Sequence, residues 1–275
     1  MAIEAINRFS PQPLIPDNRP GGGGTLASSY VARAAPDGYT MMFATFSALV
    51  LQRYFHPDLP FTPDQAFAPI GMVSETAYTL AVHQSIPGNT LAEILDYVRQ
   101  HPDDVTYAST GIGSSPHVLG QRLCDLSGVK MLHVPYQQAP NMVTDLMVGR
   151  VHMTFETLVN ALAMTERGTM RVVAVTSPER MALAPAAETM LEAGFPGLST
   201  MMWTALVVPA ATPASVQDWL AEVLARALRA PETAASFANY GVRPRPMPPA
   251  EVRALLEGED RKWRDVAQRI SQAAG

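Results

Sequence analysis

Cysteine is nearly missing from this sequence: Cys124 is the only one in 275 residues. An intrachain disulfide is therefore impossible, and a cysteine-ligated metal cluster is not expected. Charge is also scarce, at 16% of residues with a net charge of −5, and the basic residues are scattered. No basic stripe of the kind that grips nucleic acid is present. The longest uncharged apolar-rich run, residues 41–52, is well short of the roughly 20 residues that a membrane-spanning helix needs. The first ten residues carry an acid, Glu4, and no apolar core, so they do not read as a secretory signal, and the chain as written would stay in the cytoplasm. Six histidines, at positions 56, 83, 101, 117, 133 and 152, include no helical pair with a third ligand nearby, so neither a metal nor a cofactor is expected.

What is present is an ordinary globular composition, 47% hydrophobic, with enough chain for one large domain or two smaller ones. Fifteen methionines read as adaptable core filling. Between residues 105 and 176 the hydrophobic period switches back and forth. Strands are predicted at 105–108, 131–134, 151–155 and 171–176, and helices at 116–127, 140–148 and 158–167. Leu119, Leu123 and Leu126 share a face of the first of these helices, and Gly128 is its natural stop. Such alternation implies a parallel sheet covered on both faces, with ligands at the carboxyl ends of its strands.

Outside that region, 40–44, 77–82 and 204–208 read as strands. Helices are predicted at 91–100, with Thr90 and Glu93 at capping-box spacing, at 213–229, with Val216, Trp219, Leu220, Val223 and Leu224 inward, and at 249–270. Pro244, Pro246, Pro248 and Pro249 read as a stiff connector. Gly21 to Gly24 open a helix through Thr25, Leu26 and Tyr30. No Lys-Ser/Thr follows, so a phosphate-binding loop is excluded and a tight, closely packed turn is preferred.

The most informative stretch is Tyr107-Ala-Ser-Thr-Gly-Ile-Gly-Ser-Ser-Pro-His117. A strand runs into small residues and then into a helix with Pro116 in its first turn. Small residues let a ligand approach the backbone, and the helix start aims unpaired N–H groups at it. That combination suits an anion such as a carboxylate. The plainer reading is a strand–helix turn with Ser115 as N-cap.

Several stretches together resemble the substrate-binding receptors of tripartite tricarboxylate transporters, the Bug-type periplasmic proteins. They are Asn18-Arg-Pro-Gly-Gly-Gly-Gly24, Ala35-Pro-Asp-Gly-Tyr-Thr40, the 107–117 stretch, His133-Val-Pro-Tyr136, Thr144-Asp-Leu146, Ala174-Val-Thr-Ser177 and Glu192-Ala-Gly-Phe-Pro-Gly197. The resemblance implies an α/β, type II periplasmic-binding-protein fold. Two α/β lobes, 1–82 with 206–275 and 83–205, would be joined by two crossing strands near 79–82 and 204–208, with a ligand cleft between them. It also implies capture of a small organic carboxylate, periplasmic location and docking on membrane permease subunits. The chain departs from the resemblance in places. The proline- and glycine-rich first-strand loop is not found ahead of Asn18, and a missing strand would leave a neighbouring edge unpaired. Phe46 could fill part of the cleft, Gln137-Gln138 stands where a basic residue and glycine are usual, and His152 stands in place of a frequent acid.

The candidate ligand-binding residues are Thr45, Ser47, Ser109, Thr110, Gly113, Ser114, Ser115, His117, Tyr136, Gln137 and Glu156. Thr45 and Ser47 would offer hydroxyls after a strand end, against simple local turn bonding. His117 would donate to the ligand or brace neighbouring polar groups. Glu156 would take a ligand amine or hydroxyl, or order a water, since a buried carboxylate without a partner is costly. Tyr136 and Gln137 follow a strand end, against a solvated loop. Two other functions compete: a cytoplasmic sensor of the same fold, and a hydrolase with Ser114 or Ser115 as nucleophile and His117 as base. Residues so close at a helix start do not face each other, so the second is poorly posed.

Overall fold

A computed structural model describes residues 1–274. In chain order its first elements are α1 (Ala2–Asn7), α2 (Thr25–Ala32), β1 (Met42–Thr45), α3 (Gln52–Phe55), α4 (Pro63–Ala66) and β2 (Phe67–His83). Then come α5 (Leu91–Gln100), β3 (Thr106–Ser109), α6 (Ser115–Ser127), β4 (Leu132–Pro135), α7 (Ala139–Met147), β5 (Met153–Thr157) and α8 (Leu158–Thr165). The chain continues through β6 (Met170–Val175), β7 (Glu188–Thr189), β8 (Met201–Pro209), α9 (Ala214–Arg229), α10 (Pro231–Ala238), β9 (Arg243–Met247) and α11 (Pro249–Ala274). It divides into two compact units, Met1–Glu75 with Met202–Gly275, and Thr76–Met201.

In the first unit the sheet runs β1-β8-β2, and β9 also pairs with β2. β1 lies antiparallel to β8, with Thr45 opposite Thr204. Ala5, Ile6, Ile70, Val73, Leu206, Val208, Leu220, Leu224, Leu228 and Phe237 close its core. The proline cluster, expected to be a connector, is instead a strand through Pro244 and Pro246. Prolines two apart lose their donors on one edge only, so the other edge still pairs, as it does here with Ser74 and Glu75 of β2. Trp219, expected inward, is 43% exposed, whereas Leu220, Val223 and Leu224 are buried. The 3.6-residue stripe is narrower than the indole needs. Phe46 is buried elsewhere in this unit, against Trp203 at 6.0 Å and Trp263 at 5.5 Å between ring centres. α1, the helical turns from Ser47 to Phe55, and α10 were not legible in the sequence. All are short, and only tertiary packing secures helices of that length.

In the second unit β3 is parallel to β4 and to β5, and β6 is parallel to β7. The expected all-parallel sheet is interrupted. The later part of β2 enters between β5 and β6 and runs antiparallel to both. Strand–helix alternation cannot reveal a strand supplied from earlier in the chain. α5 is set by its capping box: the Glu93 N–H donates to Thr90 Oγ1 at 3.3 Å while the Thr90 N–H donates back to Glu93 Oε2 at 3.2 Å. Its apolar stripe Leu91, Ile94, Leu95 and Val98 is buried. α6 stops at Gly128, whose φ of 67° is the left-handed geometry that glycine tolerates. Its Leu119 and Leu123 are buried, but Leu126, expected beside them, is 40% exposed.

Candidate functional site

The candidate site lies in the second unit, where β3 ends and α6 begins. Gly111 and Gly113 adopt φ of 118° and 77°, so two of the loop's residues must be glycine for the chain to turn this tightly. The N-cap of α6 is Ser114, not Ser115, with an extended ψ of 156° and no side-chain capping bond. Its hydroxyl instead donates to Gly111 O at 2.7 Å, and its N–H to the same oxygen at 3.2 Å. Val118 N–H donates to Ser114 O, and Pro116 has no N–H; the first turn of an α-helix presents N–H groups that the helix itself does not use.

The loop is braced from below. Ser109 Oγ accepts from the Gly111 N–H at 3.1 Å and lies 2.7 Å from His133 Nε2. The Gly113 N–H donates to His117 Nδ1 at 3.1 Å. The two imidazoles stack at 4.2 Å, and Tyr107 stacks on the outer face of His133 at 4.9 Å. Burial pushes His117 down to about 4, and burial together with the adjacent His117 pushes His133 down to about 3. Both rings are neutral bases at neutral pH.

Two groups flank the helix start. Tyr78 of β2 is buried and hydrogen-bonds the side chain of Ser115; burial raises its pKa. Glu156, at the end of β5, accepts from the Thr157 N–H at 2.7 Å and from Asn160 Nδ2 at 3.2 Å. Burial raises the Glu156 pKa, and these donors at the start of α8 offset only part of that.

The structure therefore gathers Ser109, Thr110, Gly113, Ser114, Ser115 and His117 in one loop, with Glu156 nearby through Tyr78. Ser109 and His117 are 0% and 3% exposed, so they hold the loop rather than face solvent. The Tyr136 N–H donates to Ser109 O at 2.9 Å, but its hydroxyl turns to Asp145 at 2.9 Å, and burial pushes that phenol up to about 12. Gln137 is exposed. Thr45 and Ser47 belong to the first unit; Thr45 ends β1 and Ser47 lies buried in a π-helical turn. Tyr78, Tyr107 and His133 were missed from the sequence. The β3–β4 register sets Tyr107 directly opposite His133, and knowing that requires the strand pairing. Among the described residues no cluster of three or more His, Cys, Asp or Glu could hold a metal ion. No helix among them is long and apolar enough to cross a membrane.

Residues 2–272 match the model of the tripartite tricarboxylate transporter family receptor. A UPF0065 protein from the tcbD-tcbE intergenic region of Pseudomonas sp. strain P51 is 30% identical over 93% of this chain and 76% of its own. Two solved structures superpose closely. The R. palustris protein Rpa4515 with adipate is 28% identical, with a TM-score of 0.92 over 98% of this chain and 90% of that one. MatC from Rhodopseudomonas palustris with bound malate is 29% identical, with a TM-score of 0.89 over 97% and 92%. The matched family is one of receptors, and the hydrolase reading falls with that match. The chain belongs to the tripartite tricarboxylate transporter receptor family, and is a solute receptor of the periplasmic-binding-protein type rather than an enzyme.

Proposed function

We propose that the loop between β3 and α6 seats one carboxylate group of a small organic acid, which the receptor hands to membrane permease subunits from the periplasm. The observation that carries this is the loop itself. It is a glycine turn at a helix start in which the Ser109 and Ser114 hydroxyls and the Gly111, Gly113 and Ser114 N–H groups are spent on bracing the chain, so recognition falls to the other main-chain N–H groups at the positive end of α6. Ser115 gives its side chain to Tyr78, which is consistent with amide rather than hydroxyl recognition. No lysine or arginine lies between residues 105 and 121, so the loop itself offers a negative charge dipoles rather than a cation. Dicarboxylates are the natural first candidates, because adipate and malate are named with the solved relatives. Tyr136, Gln137 and Glu156 would shape what the rest of the acid meets. Thermal-shift screening against adipate, malate and other small acids, followed by calorimetry on the responders, tests the proposal. Saturable binding of at least one acid is expected. No response to any of them at millimolar concentration would refute it.

A further inference from the structure

Three rings stack beneath the loop. His117 comes from α6, His133 from β4 and Tyr107 from β3, and they form one continuous stack. The polar edges of the two imidazoles serve the loop. The Gly113 N–H donates to His117 Nδ1, so that nitrogen must be unprotonated and a neutral ring carries its hydrogen on Nε2. His133 Nε2 meets the Ser109 hydroxyl, which also receives the Gly111 N–H. Each ring thus fixes one of the two glycines whose geometry makes the turn.

Resting on the carboxylate-seat reading above, we infer that His117 and His133 are positioning residues: as neutral stacked bases they hold the amides of Gly111 and Gly113, and protonating His117 unlocks the seat. The chemistry is direct. A proton on His117 Nδ1 removes the acceptor of Gly113 and sets two N–H groups against each other. It also places a charge 4.2 Å from a second ring that could then not be protonated without like-charge repulsion. Groups facing the pair include Tyr107, whose raised pKa reflects burial first and then Cys124 and Asp125 of α6, and the uncharged Ser109. His117 is displaced by burial and His133 by burial and His117.

Ring and amide resonances of the intact, ligand-free chain, followed against pH, test this without a ligand. The expected result is a His117 ring hydrogen on Nε2, a midpoint near the value of about 4, and Gly111 and Gly113 amides that move with it. A ring hydrogen on Nδ1 at neutral pH, or glycine amides indifferent to the His117 titration, would overturn the inference. Binding of adipate and malate at pH 7.5 supplies the second arm. His117→Phe keeps a ring but not the acceptor, and should weaken affinity about tenfold, while His117→Gln, whose carbonyl can take the Gly113 N–H, should recover most of it. His133→Phe, which keeps the stack, should also lose about tenfold. Equal affinity in His117→Phe and the parent would count against the positioning role. Failure of the parent chain to bind any acid refutes the carboxylate reading instead, and the resonance titration still decides this one.

Discussion

At the scale of single residues, the proposed seat depends on positions that carry no charge and little bulk. Gly120 is an example. A Cβ there would run into the ring of Tyr107, the first member of the stack. Gly120→Ala, ordinarily favourable in a helix, is expected to destabilise the chain by about 1–3 kcal/mol, because the Tyr107 ring is fully enclosed and cannot step aside. Thermal or denaturant unfolding checks this, and a stabilised variant would show that the ring has room. The residue pattern of the loop was legible in the sequence, since small residues between a strand and a proline-marked helix start admit few readings. Its supports were not. Ser109, Gly113 and His117 are near one another in the chain, so their mutual bracing is local. His133 and Tyr78 arrive from other strands, and only the register brings them in.

Secondary-structure elements show the same division between what is local and what is assembled. α5 could be read directly because both halves of its capping box lie within four residues. Thr90→Ala should cost about 1 kcal/mol of unfolding free energy. A cost below a few tenths would mean that Glu93, whose pKa is lowered by the N–H groups of Asn89 and Thr90, caps the helix alone. β9 was misread because proline argues against strands in general but not against an edge strand with prolines in alternate positions. Its arginines add a second role. Glu75, only 5% exposed, is paired with both Arg243 and Arg245. Removing both partners, in Arg243→Ala/Arg245→Ala, strands a buried carboxylate, with an expected loss of about 3–5 kcal/mol. Glu75→Gln should cost much less, since the freed arginines are partly exposed and can turn to water. If both variants lose the same amount, desolvation of Glu75 is not the dominant effect.

For the whole molecule, the buried and half-buried histidines set how stability depends on pH. His83, His117, His133 and His152 are all shifted below the ordinary value of 6.5, principally by burial. In the unfolded chain they take up protons near that value, while in the folded chain His117 waits until about 4. Over this window the unfolded state binds more protons, so stability rises with pH and falls on acidification. Glu156 opposes the trend weakly: its raised pKa favours the folded state at low pH and loses that contribution as pH rises through the folded value. From pH 6.5 to 5 the His117 contribution amounts to about 1–2 kcal/mol. The melting temperature should therefore drop over that interval, and drop less in His117→Gln. A flat profile would show that these rings are not buried as neutral bases.

The family's overall α/β architecture was within reach of the sequence because its motifs recur in order along almost the entire chain. The mixed sheet of the second unit was not, because β2 is a single strand of 17 residues that serves both units in turn. The claim on which all else depends is that main-chain amides at the start of α6 hold the ligand's carboxylate. Mapping the backbone amide resonances while adipate or malate is added tests it most directly. The account predicts saturable shifts concentrated on residues 110–117, in step with the calorimetric affinity. Saturable binding that leaves those amides unmoved would contradict it.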